Sequence, residues 1–328
     1  MEKILITGGN GVLGTKLIDA ADSQMLVLAT DVQNQPIRPL TERVRYARMD
    51  ITDRNAVESV FTDFQPSAVI HAAAYTNVDG AETERETCFR INVLGTANLI
   101  RAAREAGAHF VYVSTDYVFD GTAGPYAESD RVNPLSWYGL TKYAGECIAS
   151  GVWHPADEMV MTDYADLKKE LDPLVIPPMF PALICRTMGL YGFSSFLKRF
   201  NFVGWLLTNL YADKPVKVVT DQMVNHTVAD DLARTLYALM RRDGVSGVYH
   251  TAGEDWLSRY EFARRLAVHF GLNEELIEPV SSTQLGWKAN RPLQGGLRMD
   301  KLHAVGLRML DTASQLEVVS RTFIKDTA

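Results

Sequence analysis

Positive charge is scarce in this chain. Thirty-three Lys and Arg stand against 40 Asp and Glu, for a formal net charge of −7. Nucleic-acid and anionic-membrane surfaces need clustered cations, so no nucleic-acid or membrane partner is expected. Cysteine is scarcer still: Cys88, Cys147 and Cys185 occur without CxxC spacing. That excludes a disulfide framework and suits a reducing, cytoplasmic setting. The 7 histidines show no HxH or HExxH spacing, so no metal site is expected. No basic-then-apolar leader precedes the first strand-like run, and none is expected. The most apolar late stretch, Phe196 to Tyr211, is interrupted by Lys198 and Arg199 and is too short to cross a bilayer. Internal repeats and low-complexity tracts are also missing. What remains is 328 residues, 47% hydrophobic and 22% charged, an ordinary globular profile able to form one large domain or two modest ones.

The first half alternates apolar runs with amphipathic segments. Strands are expected at Lys3–Thr7, Met25–Thr30, Val44–Arg48, Ala68–His71, Phe110–Ser114 and, after a gap, Leu183–Arg186. Helices are expected over Gly11–Ala21, over Arg54–Phe64 capped by Asp53, over Glu82–Ala106 and over Ser136–Ala149. This rhythm predicts an α/β, Rossmann-type doubly wound parallel sheet with ligand at the carboxyl ends of its strands. Residues 1–186 then form a dinucleotide-binding domain and 187–328 mainly a smaller substrate-binding lobe. In the lobe, helices are expected at Val228–Arg242 and Ser258–Phe270, with short strands near Val216–Val219 and Gly247–Thr251. The stretch 151–180 breaks the rhythm: it carries six acids, ends in Pro177-Pro178, and has room for a short helix over Tyr164–Leu171. It reads either as a solvated or oligomer-facing insertion or as a lid over the substrate.

Thr7-Gly8-Gly9-Asn10-Gly11-Val12-Leu13-Gly14 follows the first strand and opens the first helix. Gly8, Gly11 and Gly14 allow a tight turn, close backbone approach to a pyrophosphate, and close helix–strand packing. The amides of Val12 and Leu13 begin a helix whose unpaired donors suit an anion. Asp31 ends the second strand, where a carboxylate meets an adenosine ribose. It repels a 2′-phosphate, which favours NAD(H) and leaves NADP(H) as the other choice. Asp50-Ile51 is placed to hold the adenine. Ala72, Ala73 and Ala74 let the backbone run beside a cofactor, and His71 reads as a packed strand residue. Asn92 reads either as a buried polar bridge or as part of a proton relay with Lys142.

Tyr138 and Lys142 lie one helical turn apart on the same face. A tyrosine hydroxyl titrates near ~10 in isolation, and a neighbouring ammonium lowers that value. Thr115 ends a strand, where its hydroxyl either fixes a reacting oxygen or caps the strand end. Together these residues point to a nicotinamide-dependent enzyme acting on a carbonyl or an alcohol.

The stretches TGGNGVLG at 7–14, AAAYTNVDGAE at 72–82, STDYVFDG at 114–121 and NPLSWYGLTKYAGE at 133–146 resemble the extended short-chain dehydrogenase/reductases. Within these they are most similar to the dTDP-4-dehydrorhamnose reductases. Looser matches run through RTMGLYG at 186–192, DQMVNHT at 221–227 and RPLQGGLRMDKL at 291–302. The resemblance implies reduction of the 4-keto group of a nucleotide-linked 6-deoxysugar. Tyr138 would supply the proton, Thr115 polarise the carbonyl and Lys142 set the tyrosine's acidity, with Asp116 and Tyr117 beside the sugar. Arg291 reads either as a partner of the substrate diphosphate or as a structural ion pair. Similar proteins pair the helices at 82–106 and 136–149 across a dimer interface, which implies a homodimer.

Three departures fall on the substrate side and imply an altered sugar. Gly189 stands where similar reductases often carry tryptophan, His226-Thr227 replaces a usual Pro-Thr, and Gln294-Gly295 replaces a usual Asn-Ser or Asn-Thr. Related sugar-nucleotide dehydratases use an Asp-Glu pair where this chain has Asp116-Tyr117, so dehydration is not expected. A nucleotide-sugar epimerase and a non-catalytic dinucleotide-binding regulatory subunit are the alternatives.

Overall fold

The computed structural model describes residues 1–151, 181–193 and 201–327. The stretch 152–180, with the helix expected over Tyr164–Leu171, lies outside the described residues.

Seven parallel strands form the central sheet: β1 (Glu2–Thr7), β2 (Met25–Asp31), β3 (Val44–Arg48), β4 (Ala68–His71), β5 (His109–Thr115), β6 (Leu183–Thr187) and β7 (Gly247–His250). Their order is β7-β6-β5-β4-β1-β2-β3, so the sheet is the Rossmann-type one read from the alternating pattern. Chain direction across the sheet reverses between β1 and β4, the place where such sheets open a crevice beyond their carboxyl ends. Apolar side chains cover both faces. Ile4 and Ile6 enter one core and Leu5 the other, as the period of two along a strand requires. Each such side chain, fully buried, contributes about 1.5–3 kcal/mol.

Local chemistry sets the helix boundaries. Helices α1 (Val12–Ala20) and α2 (Arg54–Phe64) follow β1 and β3. The Asp53 carboxylate accepts the amides of Asn55 and Ala56 at 2.9 and 3.2 Å, which fixes the start of α2. Next come α3 (Gly95–Ala106) and α4 (Trp137–Ser150), the latter capped by Ser136, whose hydroxyl accepts the Gly139 amide at 3.2 Å.

One boundary needs correction. The helix expected over Glu82–Ala106 starts at Arg85 and runs on to Ala106, as Arg85–Phe89, a wide π turn over Arg90–Leu94, and α3. Asn92, in the π turn, accepts the Tyr75 amide at 2.8 Å and donates to the Tyr75 carbonyl at 3.2 Å. The widened turn thus coincides with the residue that holds a neighbouring loop. Helix α4 is buried within the chain from Trp137 to Ala149.

The second half of the chain also supplies the sheet edge. β7 pairs in parallel with β6, from Gly247 beside Leu183 to His250 beside Arg186. Helix α5 (Phe202–Tyr211) precedes α6 (Ala229–Met240), which packs on α1 through the Lys16–Asp230 ion pair at 3.0 Å and the Tyr237 hydroxyl on the Leu17 carbonyl at 3.0 Å. A separate core of Val203, Leu206, Phe262, Leu266 and Ile277 joins α5 and α7 (Arg259–His269) to a parallel pair of short strands, Val216–Val219 and Ile277–Val280. No described helix is long and apolar enough to cross a membrane.

Candidate functional site

At the end of β1 the chain turns at Gly8, whose φ of +72° suits glycine. A side chain there would lie 2.9 Å from the Ala73 backbone, so the glycine turn and the Ala72–Ala74 segment touch across the switch point. A Cβ at Gly14 would stand 2.1 Å from the Gly8 carbonyl oxygen, which explains the close seating of α1. Gly11 caps α1 without a side-chain hydrogen bond, which leaves the first-turn amides of Val12 and Leu13 to an outside acceptor. A negatively charged pyrophosphate fits this cradle, because the helix dipole and the free donors point the same way.

Asp31 closes β2 with its carboxylate accepting the amides of Asn10 at 3.1 Å and Val32 at 2.8 Å. Its backbone carbonyl accepts the Met49 amide at 2.9 Å, which brings Asp50 and Ile51 to the same edge of the sheet. Asp50 turns its carboxylate to the Thr52 amide and hydroxyl, at 2.9 and 2.8 Å. Ile51 is buried against Gly95, where an added Cβ would meet it at 2.6 Å. His71 is buried between the hydroxyls of Thr7 at 2.8 Å and Thr96 at 3.1 Å, with its pKa far below the ordinary value because of burial and the Lys142 charge.

Thr115 ends β5, and its hydroxyl donates to Asp116 Oδ1 at 3.1 Å while accepting the Tyr117 amide at 3.2 Å. The Tyr117 ring meets the Tyr138 ring edge-on at 5.5 Å. Gly139 makes this approach feasible, since a Cβ there would lie 2.2 Å from the Tyr117 carbonyl oxygen. Thr115, Asp116, Tyr117 and Tyr138 therefore form one cluster at the carboxyl end of the sheet. Lys142, one turn further along α4, donates to the Val113 carbonyl at 2.8 Å and sits 4.1 Å from the Tyr112 ring.

The electrostatics depart from the expectation that Lys142 lowers the tyrosine's pKa. In the protein alone, burial holds the Tyr138 phenol above the ordinary tyrosine value, and the Thr115 hydroxyl offsets part of this. Burial pulls Lys142 down to about 7, with the Glu146 carboxylate acting the other way. Asp116 is pushed up to about 7 by burial. A dry pocket disfavours every charge within it, and here that outweighs the single ammonium. The phenol consequently stays protonated, the form a proton donor needs.

Asn92 donates to Thr141 Oγ1 at 3.1 Å and to Cys88 Sγ at 3.4 Å, besides holding Tyr75. These contacts make it a polar bridge, and none of them reaches Lys142. Arg291 pairs with Asp79 at 2.7 Å, donates to the Tyr117 hydroxyl at 3.2 Å and lies 4.6 Å from the Trp287 ring. It thus reaches the same cluster while already holding an ion pair.

On the substrate side Gly189 has φ of +55°, and a Cβ there would meet Val224 Cγ1 at 2.5 Å, so no tryptophan fits this arrangement. Gly295 borders Asp116, with an added Cβ 3.6 Å from Oδ2. His226 is buried and stacked on Phe262 at 3.7 Å. Two residues facing this region carried no signal in the sequence. Trp256 caps the Gly295 carbonyl at 3.0 Å, and Arg259 is held by Gln222 at 2.6 Å. Trp256 lies in a loop and Arg259 at a helix start, and such lone residues belong to no spacing pattern, so periodicity could not reveal them.

The parallel sheet, the glycine turn and the Thr115/Tyr138/Lys142 arrangement define a protein of the extended short-chain dehydrogenase/reductase type. More narrowly, the chain belongs to the RmlD substrate binding domain family, whose model matches residues 1–153 and 153–321. A dTDP-4-dehydrorhamnose reductase from Aggregatibacter actinomycetemcomitans is 30% identical over 95% of this chain and 96% of its own. The methionine adenosyltransferase 2 subunit beta of Pongo abelii is 29% identical over 93% of this chain and 83% of its own. Among solved structures, the dTDP-4-dehydrorhamnose reductase of Bacillus anthracis in complex with NADP superposes with a TM-score of 0.78 at 30% identity, covering 99% of both chains.

Proposed function

We propose that this chain is a nicotinamide-dependent reductase that converts the 4-keto group of a nucleotide-linked 6-deoxysugar to an alcohol. In this reading residues 1–186 chiefly hold the dinucleotide and 187–328 chiefly the sugar nucleotide. The observation that carries it is a buried Tyr138 phenol beside Thr115, which burial holds above the ordinary tyrosine value, on the same sheet edge as an anion-ready glycine turn. The dinucleotide, when bound, supplies hydride to the carbonyl carbon. Tyr138 gives its phenolic proton to the carbonyl oxygen, and the Thr115 hydroxyl turns from Asp116 to donate to that oxygen. Lys142 holds the nicotinamide ribose and, when charged, stabilises the phenolate left behind. Tyr117 and Asp116 flank the sugar.

Support for the chemistry comes from the reductases named above, each about 30% identical over nearly the whole chain. The test is to mix the protein with NADH or NADPH and 4-keto-6-deoxy sugar nucleotides and follow loss of reduced-cofactor absorbance. The methionine adenosyltransferase subunit relatives favour a second reading, a dinucleotide-binding regulatory subunit. Clear NADH binding without absorbance loss for any such sugar supports that second reading against the first.

The Asp31 carboxylate supports NADH as the preferred donor, although the Bacillus anthracis neighbour holds NADP. A surface charge pair about 4 Å apart is worth about 1 kcal/mol in water. Asp31→Ala should therefore narrow the NADH-over-NADPH preference roughly fivefold, read from kcat/KM for the two donors. A wild type that already prefers NADPH overturns the ribose assignment.

A pH dependence follows from Lys142. Its charged form, present below about 7, is lost as pH rises through that value. The kcat/KM of the free enzyme should accordingly fall above about pH 7. Asp116 ionises in the same range, so Asp116→Asn is the control. If the falling limb persists in that variant, it belongs to Lys142; if it vanishes, Asp116 carries it.

A further inference from the structure

Arg259 opens α7 directly after Ser258, whose reciprocal hydrogen bonds with Glu261 fix the helix start. Its backbone amide donates to the Gln222 carbonyl at 3.1 Å and its Nε to Gln222 Oε1 at 2.6 Å. Gln222 in turn donates to the carbonyl of Pro292, the residue after Arg291, at 3.4 Å. One glutamine thus ties both arginine-bearing segments together. The guanidinium rests 5.0 Å from the Phe202 ring, so its plane is fixed on one side by an aromatic face.

What this guanidinium lacks is a counter-charge. Among the described residues no carboxylate pairs with Arg259, whereas Arg291 has Asp79. Burial opposes its charge most; Tyr117 and Asp116 favour that charge, and Arg291 opposes it. His226, the other polar group on Phe202, is fully buried, kept neutral by burial and by the Arg259 charge, and has no partner at either ring nitrogen. Two guanidiniums therefore share the space around Tyr117 with one carboxylate ion pair, at Asp79, and with Asp116, whose charge burial disfavours. That imbalance suits a ligand that brings negative charge of its own.

The order of groups along the crevice says where that charge falls. Tyr138 lies against one side of Tyr117, and Arg291 binds the Tyr117 hydroxyl. A pyranose whose C4 carbonyl meets Tyr138 lies across Tyr117 and directs its anomeric oxygen away from the reacting end. We propose that Arg259 is a substrate-binding residue, the second guanidinium of a diphosphate subsite completed by Arg291. The assignment rests on the sugar-nucleotide reading above and adds a recognition residue to it. Arg259 contributes a planar fork of donors, which a lysine cannot reproduce.

Titration calorimetry of the full chain with dTDP and with UDP tests the proposal, with thymidine as the phosphate-free probe. Arg259→Gln should weaken binding of the nucleoside diphosphate about tenfold or more. It should leave NADH and thymidine affinities unchanged and flatten the salt dependence of diphosphate binding. Arg259→Lys should recover part of the loss and the salt dependence, and it serves should the glutamine variant fail to fold. Unchanged diphosphate affinity in either folded variant overturns the role of Arg259 and leaves the reductase reading intact. A wild type that oxidises NADH with a keto sugar yet binds neither diphosphate overturns both the proposal and the sugar-nucleotide reading.

Discussion

The Tyr138→Phe protein is expected to lose turnover by about two to four orders of magnitude while binding NADH as tightly as the wild type. The ring stays: it remains edge-on to Tyr117 at 5.5 Å and keeps its packing among buried side chains. Only the hydroxyl goes, and with it the phenolic proton that the cluster places beside Thr115. Pre-steady-state mixing with NADH and stopped-flow absorbance separates the two effects, because binding alters cofactor fluorescence before any hydride moves. An active phenylalanine variant would remove the phenol from the chemistry and leave Asp116, whose burial pushes it up to about 7, as the acid.

The second large effect concerns stability. Glu146 and Arg186 are both 4% exposed and joined by two hydrogen bonds, Nε to Oε1 at 2.9 Å and Nη2 to Oε2 at 2.7 Å. Ser114 adds a third contact to Oε1 at 2.5 Å, and the guanidinium stacks 5.0 Å from Phe119. Nη1 of Arg186 is already buried without a partner. Glu146→Ala leaves a full charge in a dry interior and should cost about 3–5 kcal/mol, measured as a shift in the urea midpoint at constant slope. Replacing both partners, Glu146→Leu with Arg186→Met, removes that stranded charge and should cost much less. If the double replacement is as damaging as the single one, packing rather than charge holds the site. Because Glu146 also opposes the lowering of Lys142, the single variant should depress the lysine further still.

Much of the architecture was legible in the sequence because it is local. The apolar runs at Val44–Arg48 and Ala68–His71 and the Asp53-capped helix over Arg54–Phe64 match the structure residue for residue. Each is set by neighbours a few positions away. The π turn inside the long helix was not legible, since what sets it apart is long-range: Asn92 there binds Tyr75, seventeen positions earlier in the chain. Nor was the placement of β7 beside β6, which depends on a pairing across more than sixty residues. At the site, the glycine turn and the Tyr138/Lys142 spacing carry their signal in short patterns. The electrostatics did not follow from that spacing: a residue one helical turn from Tyr138 was read as its acidifier, whereas burial dominates both groups. Arg259 emerged only once Gln222, Phe202 and Arg291 were seen around it.

The left-handed backbone at Gly189 has a consequence for redesign. A bulky ring introduced there would have to abandon its preferred torsions and displace the Val224 methyl groups at once. Reinstating an aromatic wall against the sugar is thus a two-position problem, with valine trimmed before tryptophan can enter. A library that varies residue 189 by itself should return only small side chains.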